Sequence, residues 1–248
     1  MTQLITYSHR INPADQTKKL GGLTDKYFHV NTREVEAVFQ DNGFIKEGIS
    51  VARSAARDGF QKHLSIWTRD DLNLGEEKLQ LLLTNSHDGR SAFKLDVGVF
   101  RFVCANGLVS GDIDTSIAIR HSKNSLDRID DSIKYLFERL PQVAANVNRF
   151  KSIDLDNDQV KQFCKEAIEL RVSKPVYNFY APQAKRAADG GNDLWTILNI
   201  LQEHTIRGGF KYFDTEAEAF KKTRKISAID KTIKLNKSLW DIAEKIAA

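Results

Sequence analysis

Residues 81–109 read LLLTNSHDGRSAFKLDVGVFRFVCANGLV, and their pattern decides the fold. An apolar run breaks at a polar turn, resumes, and breaks again at Asn106-Gly107. Before the turn, Leu79, Leu81 and Leu83 alternate with other residues. After it, Phe93, Leu95, Val97 and Val99 fall on one face of an extended chain, with Ala92, Lys94, Asp96 and Gly98 on the other. A period of two over this length is that of a strand with one buried face. Residues 85–90, Asn-Ser-His-Asp-Gly-Arg, are turn formers, and Asp88-Gly89 readily takes a positive φ. The stretch therefore predicts a hairpin.

Working outward, residues 60–68, FQKHLSIWT, predict another strand, with Leu64 and Ile66 on its core face and His63, Ser65 and Trp67 on a polar or aromatic one. Residues 44–56 favour a strand through Ile45, Ile49 and Val51, although 52–56 also suit a helix. Residues 27–30 suit a short strand. Asn31 with Glu34 three residues on reads as a helix N-cap, Val35, Val38 and Phe39 form the apolar stripe, and Asn42-Gly43 ends the helix. Residues 1–26 read as an N-terminal arm. Beyond the hairpin, 108–119 adds a strand carrying Ile113, Ile117 and Ile119.

After Ser122 the period becomes helical: Leu126, Ile129, Ile133, Leu136, Phe137 and Leu140 recur every three or four residues, with Ser125 as cap and Pro141 placed to kink or restart the helix. Further helices are predicted near 156–172, 192–207 and 228–247. Residues 173–191, with Pro175, Pro182 and Gly190-Gly191, form a loop ahead of the C-terminal helical part. Its Tyr177, Phe179 and Tyr180 are too apolar for a plain linker; packing on the body is the first reading, stacking on a base the second. The expected fold is α+β: an antiparallel β meander of three to five strands, preceded by a short helix and covered by C-terminal helices, in a single domain spanning 1–248.

The 248 residues, 41% hydrophobic and 28% charged, exclude wholesale disorder. A net charge of +4 permits a polyanionic partner without requiring one. Cys104 and Cys164 lack metal or redox spacing and read as buried thiols of a reducing compartment. The N-terminus lacks a signal-peptide order and no apolar run approaches the ~20 residues of a membrane span, so a cytoplasmic protein without a membrane partner is expected. No phosphate-cradling glycine loop and no glycine-flanked nucleophilic serine occur.

Two sets of residues carry chemistry. Arg90, Lys94 and Arg101 flank the hairpin, Arg120 and Lys123 follow it, and Trp67 and Phe100 suit exposed sheet positions. A sheet bearing cations and aromatic rings can track a phosphate backbone while stacking bases. The second set is His87, Asp88, Asp112, Asp114 and His121: if they converged, they would suit a divalent metal and hydrolytic chemistry through a metal-bound water. Otherwise Asp88 shapes a turn, Asp112 and Asp114 line a solvated edge, and His121 precedes a helix.

Taken in order from Tyr27, the segments VNTREVEAVFQDNGF, KHLSIW, LTNSHDGRSAFKLDVGVFRFVCANGL, IRHSKN, DLWTILNILQEHT and LNKSLWDIAEKIA resemble the phage/plasmid-like family, a domain-of-unknown-function family of mobile elements. The positions that resemble its signature are Asn85, Ser86, His87, Asp88, Gly89, Arg101, Cys104, Asn106, Gly107 and His121. The resemblance implies a phage, prophage or plasmid setting and transfers no catalytic residue. The element order also looks like that of single-strand annealing proteins of phage recombination. The expectation is thus a non-enzymatic protein, without cofactor, that binds single-stranded DNA in replication or recombination, with a homo-oligomer as a further partnership to test. A metal-dependent hydrolase or nuclease, and an inhibitor of a host defence protein, are the alternatives.

Overall fold

The computed structural model describes residues 12–23, 27–52, 59–74, 77–101, 106–109 and 115–248. The chain falls into two compact units, one formed by 1–100 with 113–141 and the other by 101–112 with 142–248. The stretch 173–191 lies within the second unit, and not at a border between them.

The first unit is an antiparallel sheet with a short helix before it. Helix α1 (Thr32–Asp41) starts where the Asn31 side chain accepts a hydrogen bond from the Arg33 amide at 2.9 Å, and it stops at Gly43, whose φ of +78° suits a residue without Cβ. Strands β1 (Ile45–Val51), β2 (His63–Thr68), β3 (Asn73–Leu74), β4 (Glu77–Asn85), β5 (Phe93–Arg101) and, later in the chain, β7 (Ser116–Ile119) follow. Their lateral order is β1-β2-β4-β5, with β3 also pairing β4 and β7 also pairing β5. The α+β class and the antiparallel sheet are as the sequence predicts, and residues 45–51 take the strand alternative.

Which face of β2 is covered reverses the expectation. His63, Ser65 and Trp67 are buried, while Leu64 and Ile66 are only partly so. Opposed across the ladder, His63 meets Asn85, Ser65 meets Leu83 and Trp67 meets Leu81, so this face continues onto β4. Its cover is α1: the Trp67 ring stacks on Phe39 at 4.6 Å between centroids, and its indole N–H donates to Ser65 Oγ at 2.8 Å. An indole whose only polar atom is satisfied loses nothing by burial. On β5 the alternation of Phe93, Leu95, Val97 and Val99 is realised as a fully buried row. Residues 27–30 form no strand; they run irregularly and carry Tyr27 and His29 to the turn at 85–88. The arm is not loose over 12–23 either. A 3-10 turn at Pro13–Asp15 buries Pro13 and Ala14, and the Leu20 amide donates to the His87 carbonyl at 3.3 Å.

Helix α2 (Ser125–Lys151) is continuous across Pro141, so no restart occurs there. Its residues to 141 belong to the first unit and bury Ile129, Ile133, Leu136 and Leu140. In the second unit, α3 (Asn157–Val172) begins with a capping box in which the Asp156 side chain accepts from Gln159 N while the Gln159 side chain accepts from Asp156 N. Helix α4 (Leu194–Arg207) is buried on nearly every side, from Leu194 through Gln202. Helix α5 (Ile229–Ala247) supplies Leu235, Leu239 and Trp240, whose ring meets Phe150 and Trp195 at 5.2 and 6.3 Å. The short strand β6 (Asn106–Val109) lies against α4 and α5. A second, three-stranded sheet orders β10 (Ala219–Lys222), β9 (Lys211–Asp214) and β8 (Phe179–Tyr180). No helix among the described residues is long and apolar enough to cross a membrane.

Candidate functional site

The signature turn at 85–89 is buried rather than solvated: Asn85, Ser86 and His87 have no exposed surface and Asp88 very little. Asp88 Oδ1 accepts from Ser86 Oγ at 2.8 Å and from the Arg90 amide at 3.1 Å, the pattern of an Asx turn. Gly89 follows with φ +72°, and a Cβ there would fall 2.6 Å from Leu23 Cδ2. Only glycine fits this corner without displacing Leu23.

At the centre is the hydroxyl of Thr32, the first residue of α1. It lies 2.9 Å from His87 Nε2 and 3.2 Å from His63 Nε2, and it accepts from Asn85 Nδ2 at 3.1 Å. The hydrogen count fixes the roles. His63 Nδ1 faces the Gln61 carbonyl at 3.2 Å, and a carbonyl only accepts, so Nδ1 carries the proton. His63 Nε2 is therefore bare and takes the one hydrogen of the Thr32 hydroxyl. His87 Nε2, at 2.9 Å, is the third polar group on that hydroxyl, and the ring's other side faces the Pro13 backbone. One hydroxyl thus joins α1 to the facing ends of β2 and β4.

Burial keeps these imidazoles neutral. It is the main cause that pushes His63 down to about 4, helped by the charge of Lys46. It pushes His87 to about 3, with His63, His29 and His121 adding to the effect and the backbone of Pro13 opposing it. His121, likewise lowered to about 4 chiefly by burial, stacks between Phe93 at 4.1 Å and Tyr27 at 4.8 Å. His29 donates through Nε2 to the Gln16 carbonyl at 3.0 Å and lies 4.7 Å from the His87 ring. Tyr27, half-buried, is pushed up to about 12 by that partial burial and then by the charge of Asp88. Dry, neutral rings held by a threonine position backbone elements.

The second expected set divides accordingly. His87 and Asp88 serve the turn and His121 sits in an aromatic stack, while Asp112 and Asp114 lie outside the described residues, as does Cys104. Among the described residues no three histidine, cysteine or carboxylate groups are arranged to hold a metal ion.

The basic set is brought together in part. Phe93 pairs with Ile119 and Lys94 with Ala118 across β5 and β7, so Lys94 and Arg120 stand on one face of neighbouring strands. Lys94, Ala118 and Arg120 are exposed, as are Arg90 and Lys123 in the flanking turns. None of these four cations pairs with a carboxylate among the described residues. The side chains of Phe100, Arg101 and Asn106 lie outside the described residues, and Gly107 is in β6. Trp67 must be withdrawn from the set: with 0% of its surface exposed under Phe39, it has no face to offer a base. Two further neighbouring cations, Lys185 and Arg186, are neutralised by the buried carboxylate of Glu203 at 3.2 and 2.9 Å.

The residues missed by reading the sequence are Thr32 and His29 in the first unit. In the second they are Phe213 and Phe220 of the small sheet, while Tyr177 and Tyr180, for which packing was the first reading, are 78% and 59% exposed. The signal for Phe213 and Phe220 was the alternation in KYFD and AFKK on either side of a polar turn.

An α+β protein whose antiparallel sheet is keyed to α1 by a buried Asn-Ser-His-Asp turn is the class this geometry defines. The chain belongs to the family described as Domain of unknown function (DUF932), whose model matches residues 19–240. Two Escherichia coli (strain K12) proteins, UPF0380 protein YafZ and UPF0380 protein YfjQ, are each 27% identical to it over 219 residues, covering 80% of this chain and 80% of their own. No solved structure matches it.

Proposed function

We propose that this chain is a nucleic-acid-binding protein of a phage or plasmid, acting in the cytoplasm and holding single-stranded DNA in replication or recombination. The observation that carries the proposal is the exposed basic rim of the first sheet. Lys94 and Arg120 share a face across β5 and β7, Arg90 and Lys123 flank them, and no carboxylate among the described residues neutralises any of the four. Cations on a rigid ladder, spaced by the strands, suit a phosphate backbone and read no base. The mobile-element setting is supported by the sequence resemblance.

Fluorescence anisotropy with a labelled single strand tests it. Four phosphate contacts predict that log K falls with log salt at a slope of about −3 for single strands. Replacing Arg90, Lys94, Arg120 and Lys123 with glutamine should flatten that slope while leaving the thermal melt in place. No binding at low salt, or an unchanged slope in the fourfold variant, would overturn the proposal.

A further inference from the structure

The small sheet of the second unit carries an exposed face that the sheet of the first does not provide. In an antiparallel ladder, opposed residues share a face, and so do residues two apart on one strand. Tyr180 opposes Lys211, which opposes Lys222; one step along, Phe213 opposes Phe220. These five side chains therefore project from one side. The other side takes the half-buried Phe179, the buried Tyr212, and Asp214, which is held by Lys174 and Lys221.

Four of the five, Tyr180, Lys211, Phe220 and Lys222, are exposed, and Phe213 is half-buried between them. Tyr180 is 59% and Phe220 48% exposed, and all four residues of β10 are exposed. The rings form a continuous group, with Tyr180 and Phe220 at 5.2 Å and Phe213 and Phe220 at 5.4 Å, tilted or edge-on to each other. Lys211 Nζ stands 5.8 Å from the Tyr180 ring centroid. Lys211 and Lys222 make no ion pair among the described residues, and no carboxylate sits on this face. The acidic residues of the β9–β10 turn, Glu216 and Glu218, lie at the opposite end of the ladder from these lysines.

Contiguous exposed rings rimmed by charge mark a binding surface. Here the charge is of one sign, which selects a polyanion, and the rings selects a partner with flat apolar faces to offer. A nucleic acid whose bases are unpaired has both. We infer that the β8–β9–β10 face is a base-stacking platform for single-stranded nucleic acid, with Tyr180, Phe213 and Phe220 taking bases and Lys211 and Lys222 taking phosphates. This rests on the reading of the chain as a single-strand-binding protein and adds to the basic rim, which handles phosphates alone, a reason to prefer unpaired bases.

The test uses the full chain and two probes: an oligothymidylate of about 20 nucleotides, longer than the ~4–16 nucleotides of a typical single-strand site, and an abasic strand of the same length. The expected result is tighter binding of the first probe. Phe220→Leu and Tyr180→Ala should each weaken it about 10-fold, within the ~5–150-fold that one stacked base corresponds to, with abasic binding unchanged. Phe220→Tyr and Tyr180→Phe, which keep the rings, should retain wild-type affinity, and circular dichroism melts confirm that each variant folds. Equal wild-type affinity for both probes, or ring-deleted variants that bind oligothymidylate normally, overturns the platform and leaves the basic rim standing. Failure of the wild type to bind either probe at low salt overturns both.

Discussion

In the first unit, His63, Asn85 and His87 are wholly buried around the Thr32 hydroxyl, whereas in the second unit Tyr180 and Phe220 stand about half out in water. Hydropathy alone would reverse the two. The difference is one of satisfaction. Around Thr32 nearly every donor finds an acceptor, so polar groups can leave water at little net cost. The rings of the small sheet have one another and Lys211 on their side of the ladder, and Tyr180 and Phe220 stay about half in water. A buried polar cluster of the first kind is rigid and stabilising; an exposed apolar one of the second kind is available to a partner.

The largest effect expected from pressing on this contrast is acid sensitivity. In the unfolded chain His63, His87 and His121 would titrate near their ordinary 6.5, while in the fold they remain neutral down to about 4, 3 and 4. Below 6.5 the unfolded state therefore binds protons that the folded state refuses. Stability should be intact above that pH and fall as pH drops toward 4, by about 1.4 kcal/mol per pH unit for each histidine and on the order of 5 kcal/mol by pH 5. Urea titrations at pH 7 and pH 5 measure it, and equal midpoints would show that these rings are not held neutral.

Next comes the stacked indole. Trp67→Ala should cost about 3–5 kcal/mol, the range for emptying an aromatic site in a core. An exposed, base-stacking tryptophan would cost almost nothing, so thermal unfolding separates the two roles. Thr32→Val keeps the shape of the side chain but leaves the buried polar groups of Asn85, His63 and His87 without their shared partner, and should cost about 2–3 kcal/mol. Thr32→Ser should recover most of that in the same melt. The smallest effect belongs to the other side of the comparison: Phe220→Ser should move the melt by no more than about 1 kcal/mol, as for a half-exposed ring whose partners are surface cross-strand neighbours. A large loss there would mean that the ring is part of a core after all.

Local features of the fold were legible in the sequence. The row Phe93, Leu95, Val97, Val99 announces β5, and the N-caps Asn31 and Asp156 depend on residues two or three positions away. A two-residue period, however, defines two faces without saying which one is covered. Leu64 and Ile66 looked like the core side of β2 because they are aliphatic, but α1 covers the face of His63, Ser65 and Trp67. The cluster at Thr32 was out of reach for a related reason. Its hydrogen bonds span 31 residues to His63 and 55 to His87, and no periodicity encodes such pairings. His87, Asp88 and His121 stand out in the sequence as candidates for a metal or a solvated edge, but burial, which the sequence does not state, changes what they can do. Strand β8 is two residues long, too short for any pattern, so Tyr180 could not be placed opposite Lys211.

Strand β10 closes the small sheet on one side, and its outer backbone groups have no strand beyond them in that sheet. Such a border is a template onto which another chain could add, and fibre-forming proteins grow in that way. Lys221 and Lys222 sit on it, and like charges repel when two copies approach edge to edge. Lys222, which pairs with no carboxylate among the described residues, therefore works against edge-to-edge pairing of two copies, whereas the charge of Lys221 is already met by Asp214. Lys222→Gln is expected to promote self-association, visible as a rise in concentration-dependent light scattering.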